Sequence, residues 1–423
     1  MDKFRITGGR RLAGEVWVSG AKNAALPCLA ATLLTPEPVT LANLPRVRDI
    51  VTMEKVLAAL GESCVHADGR TTVTAGEGSS FHAPYELVRT MRASVLVLGP
   101  LLACRRRARV ALPGGCAIGA RPVDLHLEGL TRLGADLQIV HGDVLAEAPH
   151  GLRGADYAFP RVTVTGTENL LMAATLAHGR TVLRNCAREP EVGDLARLLV
   201  AMGARIDGID SDTLTIDGVP ALRGASHVVI PDRIEAGTYV VAALLAGDGV
   251  RIAGCLPPHL QGLLDVLDAT GARVEVGPDT VTVPPQPASL RAVSVTTAEF
   301  PGFATDLQAQ YMALMTQADG ECAITEAIFE NRFQHVLELK RLGAHIEVST
   351  ATARVSGPVI LDGTIVMASD LRASAALVLA ALVARGETVV DRIYHLDRGY
   401  ETMETKLNAI GAAIERFNPG PYR

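Results

Sequence analysis

Leu339-Lys340-Arg341-Leu342-Gly343 closes a leucine-rich stretch, and the same phrase returns along the chain. It reads Leu57-Ala-Ala-Leu-Gly61, Leu130-Thr-Arg-Leu-Gly134, Leu199-Val-Ala-Met-Gly203, Leu267-Asp-Ala-Thr-Gly271 and Leu407-Asn-Ala-Ile-Gly411. Successive glycines are 73, 69, 68, 72 and 68 residues apart. A glycine just past an amphipathic helix is the usual left-handed cap, because it alone adopts that backbone without a side-chain clash. Caps at this regularity mark a six-fold internal repeat.

Each repeat holds a second helix of different character. Asn169–Ala177, Ala236–Ala246, Asp306–Thr316 and Ala373–Ala384 are apolar nearly all the way round and are expected to be buried. Segments around Ala24–Leu34 and Ser94–Cys104 fill the same slot less tidily. A Gly turn and a β-branched strand follow, as in Arg180-Thr-Val-Leu and Glu387-Thr-Val-Val. The pattern predicts an α/β fold of two lobes, three units each, with buried helices behind outer sheets and exposed amphipathic helices. The joints fall near Ser19–Lys22 and Pro231-Asp232-Arg233, giving a first lobe of 22–230 and a second of 1–21 plus 231–423. The strands Phe4-Arg-Ile and Glu15-Val-Trp-Val are expected to complete the second lobe.

Composition narrows the function. The 423 residues are 48% apolar but only 4% aromatic, with a net charge of −6 and interspersed signs, which argues against a nucleic-acid surface. The N-terminus lacks a signal-peptide core, and the longest nearly apolar run, Ala373–Ala384, is too short to span a bilayer. A cytoplasmic protein without membrane partner is expected. Cysteines 28, 64, 104, 116, 186, 255 and 322 are widely spaced without a Cys-x-x-Cys pair, so neither a disulfide frame nor a metal site is expected. No dinucleotide, P-loop or nucleophile-elbow motif is present, and no cofactor is expected.

The charged residues fall in phase with the repeat. Lys22, Arg92, Glu168, Glu235, Asp306 and Arg372 enter the buried helices. Arg48, Arg121, Arg188, Arg332 and Arg398 lead into the amphipathic ones. Helix N-termini already favour anions, so this arrangement predicts a basic cleft for phosphate and carboxylate groups. Asp306 in Thr305-Asp-Leu-Gln308 reads either as part of a capping box or as a base at the cleft edge. In Leu112-Pro-Gly-Gly-Cys116-Ala-Ile-Gly-Ala-Arg121, the thiol lies in an open glycine-rich loop near an arginine. It is either a small buried filler or a reactive group.

These segments carry a specific resemblance. Ser19-Gly-Ala-Lys22-Asn23-Ala, Met91-Arg-Ala-Ser94, Pro113–Asp124, Ala187-Arg-Glu-Pro-Glu191, Pro231-Asp-Arg-Ile-Glu235, Phe300-Pro301, Thr305-Asp-Leu-Gln-Ala-Gln310, Phe329-Glu-Asn-Arg332-Phe, Ser369-Asp-Leu-Arg372-Ala-Ser and Asp397-Arg398-Gly-Tyr400 run from end to end. Together they resemble the UDP-N-acetylglucosamine enolpyruvyl transferase family. The resemblance implies two inside-out α/β barrels of three βαβαββ units each, with the active site in the cleft between them and 112–122 as a lid. It also implies transfer of enolpyruvyl from phosphoenolpyruvate to UDP-N-acetylglucosamine, the first committed step of peptidoglycan synthesis, with fosfomycin as a covalent inhibitor. A transferase acting on shikimate 3-phosphate and a non-catalytic nucleotide-sugar-binding protein are the alternatives.

By the same resemblance, Cys116 is the general acid and adduct-forming thiol and Asp306 the base on the sugar hydroxyl. Lys22, Asn23, Arg92, Arg121, Arg332, Arg372 and Arg398 hold phosphoenolpyruvate, Lys22 and Arg398 as catalytic groups. Asn23, Arg92, Arg121, Pro122, Val123, Asp124, Leu125, Arg161, Val164, Thr165, Asp306 and Ile328 contact the nucleotide sugar. One segment departs from the family pattern: Thr163-Val-Thr-Gly-Thr167 replaces Ser-Val-Gly-Ala-Thr.

Overall fold

All six repeat glycines sit in the left-handed region, with φ between 83° and 113°, as caps that return the chain from a helix to a strand. The computed structural model describes residues 1–423 except 77, 79, 90, 113–122, 287–288, 419 and 421–423. The chain divides into two compact units, one formed by Met1–Ser19 with Pro231–Arg423 and the other lying within 20–230. Each has its own apolar core.

Six four-stranded sheets share one plan. An edge strand pairs parallel to its neighbour, and the remaining two pairings are antiparallel. Asp156–Ala158, Arg180–Arg184, Thr213–Asp217 and Arg205–Asp207 show it without interruption, alternating with helices Val164–Ala174 and Pro190–Ala201. Three sheets borrow a strand from a distant part of the chain. Ala225–Val228 pairs with Val39–Ala42 in the 20–230 unit. In the other unit Lys3–Thr7 lies between Glu387–Asp391 and Ile414–Phe417, and Leu12–Trp17 pairs with Gly247–Ala253. No closed barrel forms among the described residues; the sheets remain separate.

The buried helices form where all-round apolar sequence predicts them; three of the four start earlier, and the α-helix expected from Asp306 starts at Gln308 after a 3-10 turn. Asn169–Ala177 overlaps the second half of Val164–Ala174 and runs past its end; the helix starts early because the Thr163 hydroxyl caps it by accepting from Gly166 N at 3.2 Å. Asp232 starts Arg233–Ala246 by accepting from Ile234 N and Glu235 N at 2.8 and 3.0 Å. Asp370 does the same for Leu371–Val383 through Arg372 N and Ala373 N, at 2.9 and 3.0 Å. Each cap stabilises its helix by about 1 kcal/mol. The expectation of exposed amphipathic helices fails for Pro190–Ala201, most of which is buried.

Candidate active site

Asp306 lies on a 3-10 turn, Thr305–Leu307, that leads into helix Gln308–Met315. The capping-box reading does not hold there. No side chain caps the turn, and Thr305 Oγ1 donates instead to Glu326 Oε2 at 2.8 Å. The Asp306 carboxylate is gripped by two guanidinium groups. Arg332 Nη2 donates to Oδ1 at 2.7 Å, while Arg372 Nε and Nη2 both donate to Oδ2, at 3.1 and 3.0 Å. Both arginine side chains are only 4% exposed, whereas Asp306 is 25% exposed. Solvent or a ligand therefore reaches the carboxylate but not its holders. Arg372 Nη1 is buried with no hydrogen-bond partner among the described residues, and its guanidinium lies over the Tyr400 ring, 5.3 Å from the centroid.

Neighbouring segments are braced by residues that carry no signal in the sequence. Buried Glu326 accepts from Thr297 Oγ1, Ile328 N and Phe329 N at 2.9, 2.9 and 3.1 Å, fixing the backbone that presents Ile328. Half-buried Arg398 ends the 3-10 segment Ile393–Arg398. Its neighbour Asp397 receives two hydrogen bonds from Arg416, at 3.1 and 2.7 Å, and Arg416 Nε also bonds Glu404 at 2.7 Å.

In the 20–230 unit the predicted residues form a second group. Lys22 opens the buried helix Lys22–Ala31 and pairs with Asp49 at 3.4 Å, both side chains being almost covered. Half-buried Asn23 follows it, and half-buried Arg92 opens the 3-10 segment Arg92–Val97. Arg161 and Asp124, both well exposed, lie 3.6 Å apart, and Leu125 is buried behind them. A surface pair like this contributes little stability, so the arginine is readily lent to a ligand. Val123 and Val164 are half-buried.

Beneath them is His126, which sequence reasoning missed. Its Nδ1 is 2.9 Å from Asn169 Nδ2, and its Nε2 is 3.2 Å from Thr165 Oγ1. Asn169 Nδ2 can only donate, so Nδ1 accepts and the proton rests on Nε2, facing Thr165. Burial pushes the imidazole down to about 4, aided by the Arg92 charge and opposed by Asp124.

The departure at Thr163–Thr167 has a physical reason here. A Cβ on Gly166 would meet Thr163 Cγ2 at 2.4 Å, so with the threonine methyl in this orientation glycine fits at this position. Gly166 leaves room for the Thr163 methyl, and Thr165 contacts His126.

Cys116, Arg121 and Pro122 lie outside the described residues. Of the other cysteines only Cys104 is exposed, and burial pushes Cys186 and Cys322 up to about 12. One group of described residues, Cys28, Asp194 and His227, has donor atoms close enough to hold a metal ion.

A family model described as EPSP synthase (3-phosphoshikimate 1-carboxyvinyltransferase) matches residues 6–407. The chain belongs to this family. As an EPSP synthase family member it is 57% identical over 417 residues to the UDP-N-acetylglucosamine 1-carboxyvinyltransferase of Solibacter usitatus, covering 98% of this chain and 100% of that one. The protein of the same name from Koribacter versatilis is 55% identical over 421 residues, covering 99% and 97%. Among solved structures, the enolpyruvyl transferase NikO from Streptomyces tendae superposes with a TM-score of 0.89 at 30% identity, covering 98% and 99%. The α/β architecture is thus that of the enolpyruvyl transferases.

Proposed function

We infer that this chain transfers the enolpyruvyl group of phosphoenolpyruvate to the 3′-hydroxyl of UDP-N-acetylglucosamine and releases phosphate, the step that commits the nucleotide sugar to peptidoglycan synthesis. The observation that carries this is the end-to-end identity of 57% with a UDP-N-acetylglucosamine 1-carboxyvinyltransferase. The family also takes its description from the shikimate 3-phosphate enzyme, which makes that acceptor the second reading.

The reaction is an addition followed by an elimination. A proton goes to the methylene of the enol ester and the sugar oxygen bonds the neighbouring carbon. The methyl so formed then loses a proton as phosphate leaves. In our proposal Cys116 delivers the first proton, and Asp306 accepts the one from the sugar hydroxyl. The reachable Asp306 carboxylate, locked by two sealed guanidinium groups, has the fixed position this role needs. Lys22, Arg92, Arg121 and Arg398 steady the phosphate and carboxylate charges, Arg332 and Arg372 add positive field from behind Asp306, and Asn23 serves both substrates. Val123, Asp124, Leu125, Arg161, Val164, Thr165 and Ile328 receive the nucleotide sugar, together with Pro122.

Fosfomycin alkylation at Cys116 and a cytoplasmic location belong to the same proposal. No helix among the described residues is long and apolar enough to cross a membrane. Mass spectrometry of the product tests the chemistry. Incubation with both substrates is expected to add one enolpyruvyl group to UDP-N-acetylglucosamine; an unchanged nucleotide sugar contradicts the reading.

A further inference from the structure

Three metal-binding side chains, far apart in sequence, meet inside the 20–230 unit. Cys28 lies in helix Lys22–Ala31, Asp194 in helix Pro190–Ala201 and His227 on strand Ala225–Val228. Cys28 Sγ is 3.9 Å from Asp194 Oδ2, and His227 Nε2 is 2.9 Å from Asp194 Oδ1. All three donor atoms lie within 4.8 Å of one another. Thiolate, imidazole and carboxylate form the borderline donor set that suits zinc, whose ligand distances of about 2.0–2.3 Å would close the sulfur–carboxylate gap slightly and open the imidazole–carboxylate one. Helix, helix and strand each supply one ligand, so the set is held by the fold rather than by a flexible loop.

The surroundings add a second observation. Cys28 and Asp194 are each at most 2% exposed, and so is neighbouring Glu168. Glu168 Oε1 is buried with no hydrogen-bond partner among the described residues, an unsatisfied oxygen of the kind that a water on a bound ion would satisfy.

We propose that Cys28, Asp194 and His227 bind one divalent cation of the zinc class, with water at the fourth position, tying helix Lys22–Ala31 to helix Pro190–Ala201 and the 225–228 strand. On binding, the Cys28 thiol proton passes to solvent and the sulfur coordinates as thiolate. The site is independent of the transferase reading, although it sits on the helix that Lys22 opens.

The test uses the full chain, stripped with a chelator and titrated with Co²⁺ as a spectroscopic probe. One Co²⁺ per chain is expected, with a near-ultraviolet thiolate charge-transfer band and strong visible bands of a tetrahedral site. Cys28→Ser should abolish the charge-transfer band, and Cys116→Ser should leave it in place. His227→Ala, at a half-buried edge-strand position, should weaken binding at least tenfold while the chain stays folded, so the test survives even if Cys28→Ser does not fold. Zinc should raise the Tm of the unaltered chain by several degrees and that of His227→Ala much less. Absence of the band, its persistence in Cys28→Ser, or equal zinc effects on unaltered and His227→Ala chains would mean an adventitious ion only and overturn the proposal.

Discussion

Asp306, the proposed base, also pairs two buried arginines. Arg332 and Arg372 are sealed from solvent, so removing the carboxylate that pairs them leaves two buried charges uncompensated. Asp306→Ala is therefore expected to lose about 3–5 kcal/mol of stability, the usual cost of breaking a buried pair. Asp306→Asn keeps one acceptor oxygen and the side-chain volume but not the charge, so it should lose less than Asp306→Ala while remaining destabilised. If the carboxylate is the base, phosphate release by Asp306→Asn still falls roughly a hundredfold or more. Thermal melts beside steady-state assays separate the two effects, and near-normal turnover in Asp306→Asn would leave the residue only a structural role.

His126 makes a distinct prediction. Its pKa of about 4 in the fold lies below the usual 6.5, so as pH falls through 6.5 the unfolded chain gains a proton that the folded chain refuses. Its contribution is complete above pH 6.5 and is lost toward pH 4. Glu168 and Glu235, raised by burial, act in the opposite sense, so the comparison must be made against a variant. The destabilisation caused by His126→Gln should shrink by about 2 kcal/mol between pH 7 and pH 5, as measured by urea unfolding. A pH-independent difference would place the histidine elsewhere.

Local rules made the helices and their ends readable. A glycine cap depends on one residue's backbone freedom, so the six caps could be placed from sequence; a helix without a polar face must be buried wherever it lies. Pairings are another matter. Nothing local tells Lys3–Thr7 to lie between Glu387–Asp391 and Ile414–Phe417. The buried acids Asp49 and Glu326 escaped notice for the same reason: whether an acid is a solvated surface group or a hidden brace is decided by distant neighbours. Cys28, Asp194 and His227 also lack the short spacing by which metal sites are recognised.

The cap at Thr163 gives a test of purely local packing. Gly166→Ala should destabilise the protein by roughly 1–3 kcal/mol, because the new methyl meets Thr163 Cγ2. Adding Thr163→Ser removes that methyl, keeps the capping oxygen, and should restore most of the loss in a double-mutant cycle. Additive effects would refute the exchange of methyl for methyl.

Two apolar cores, one per unit, imply two cooperative bodies. Residues 20–230 are continuous in sequence and hold three complete sheets. Expressed alone, this segment should melt cooperatively by circular dichroism; a featureless transition would mean that its core depends on the remaining chain. The shared six-sheet plan accounts for the family, but the acceptor is chosen by side chains, and the closest test of the account is therefore acceptor choice.

Phosphate release from phosphoenolpyruvate should be followed with UDP-N-acetylglucosamine, with shikimate 3-phosphate, and with no acceptor. Release is expected only with the nucleotide sugar. Release with shikimate 3-phosphate instead, or none with either, contradicts the assignment.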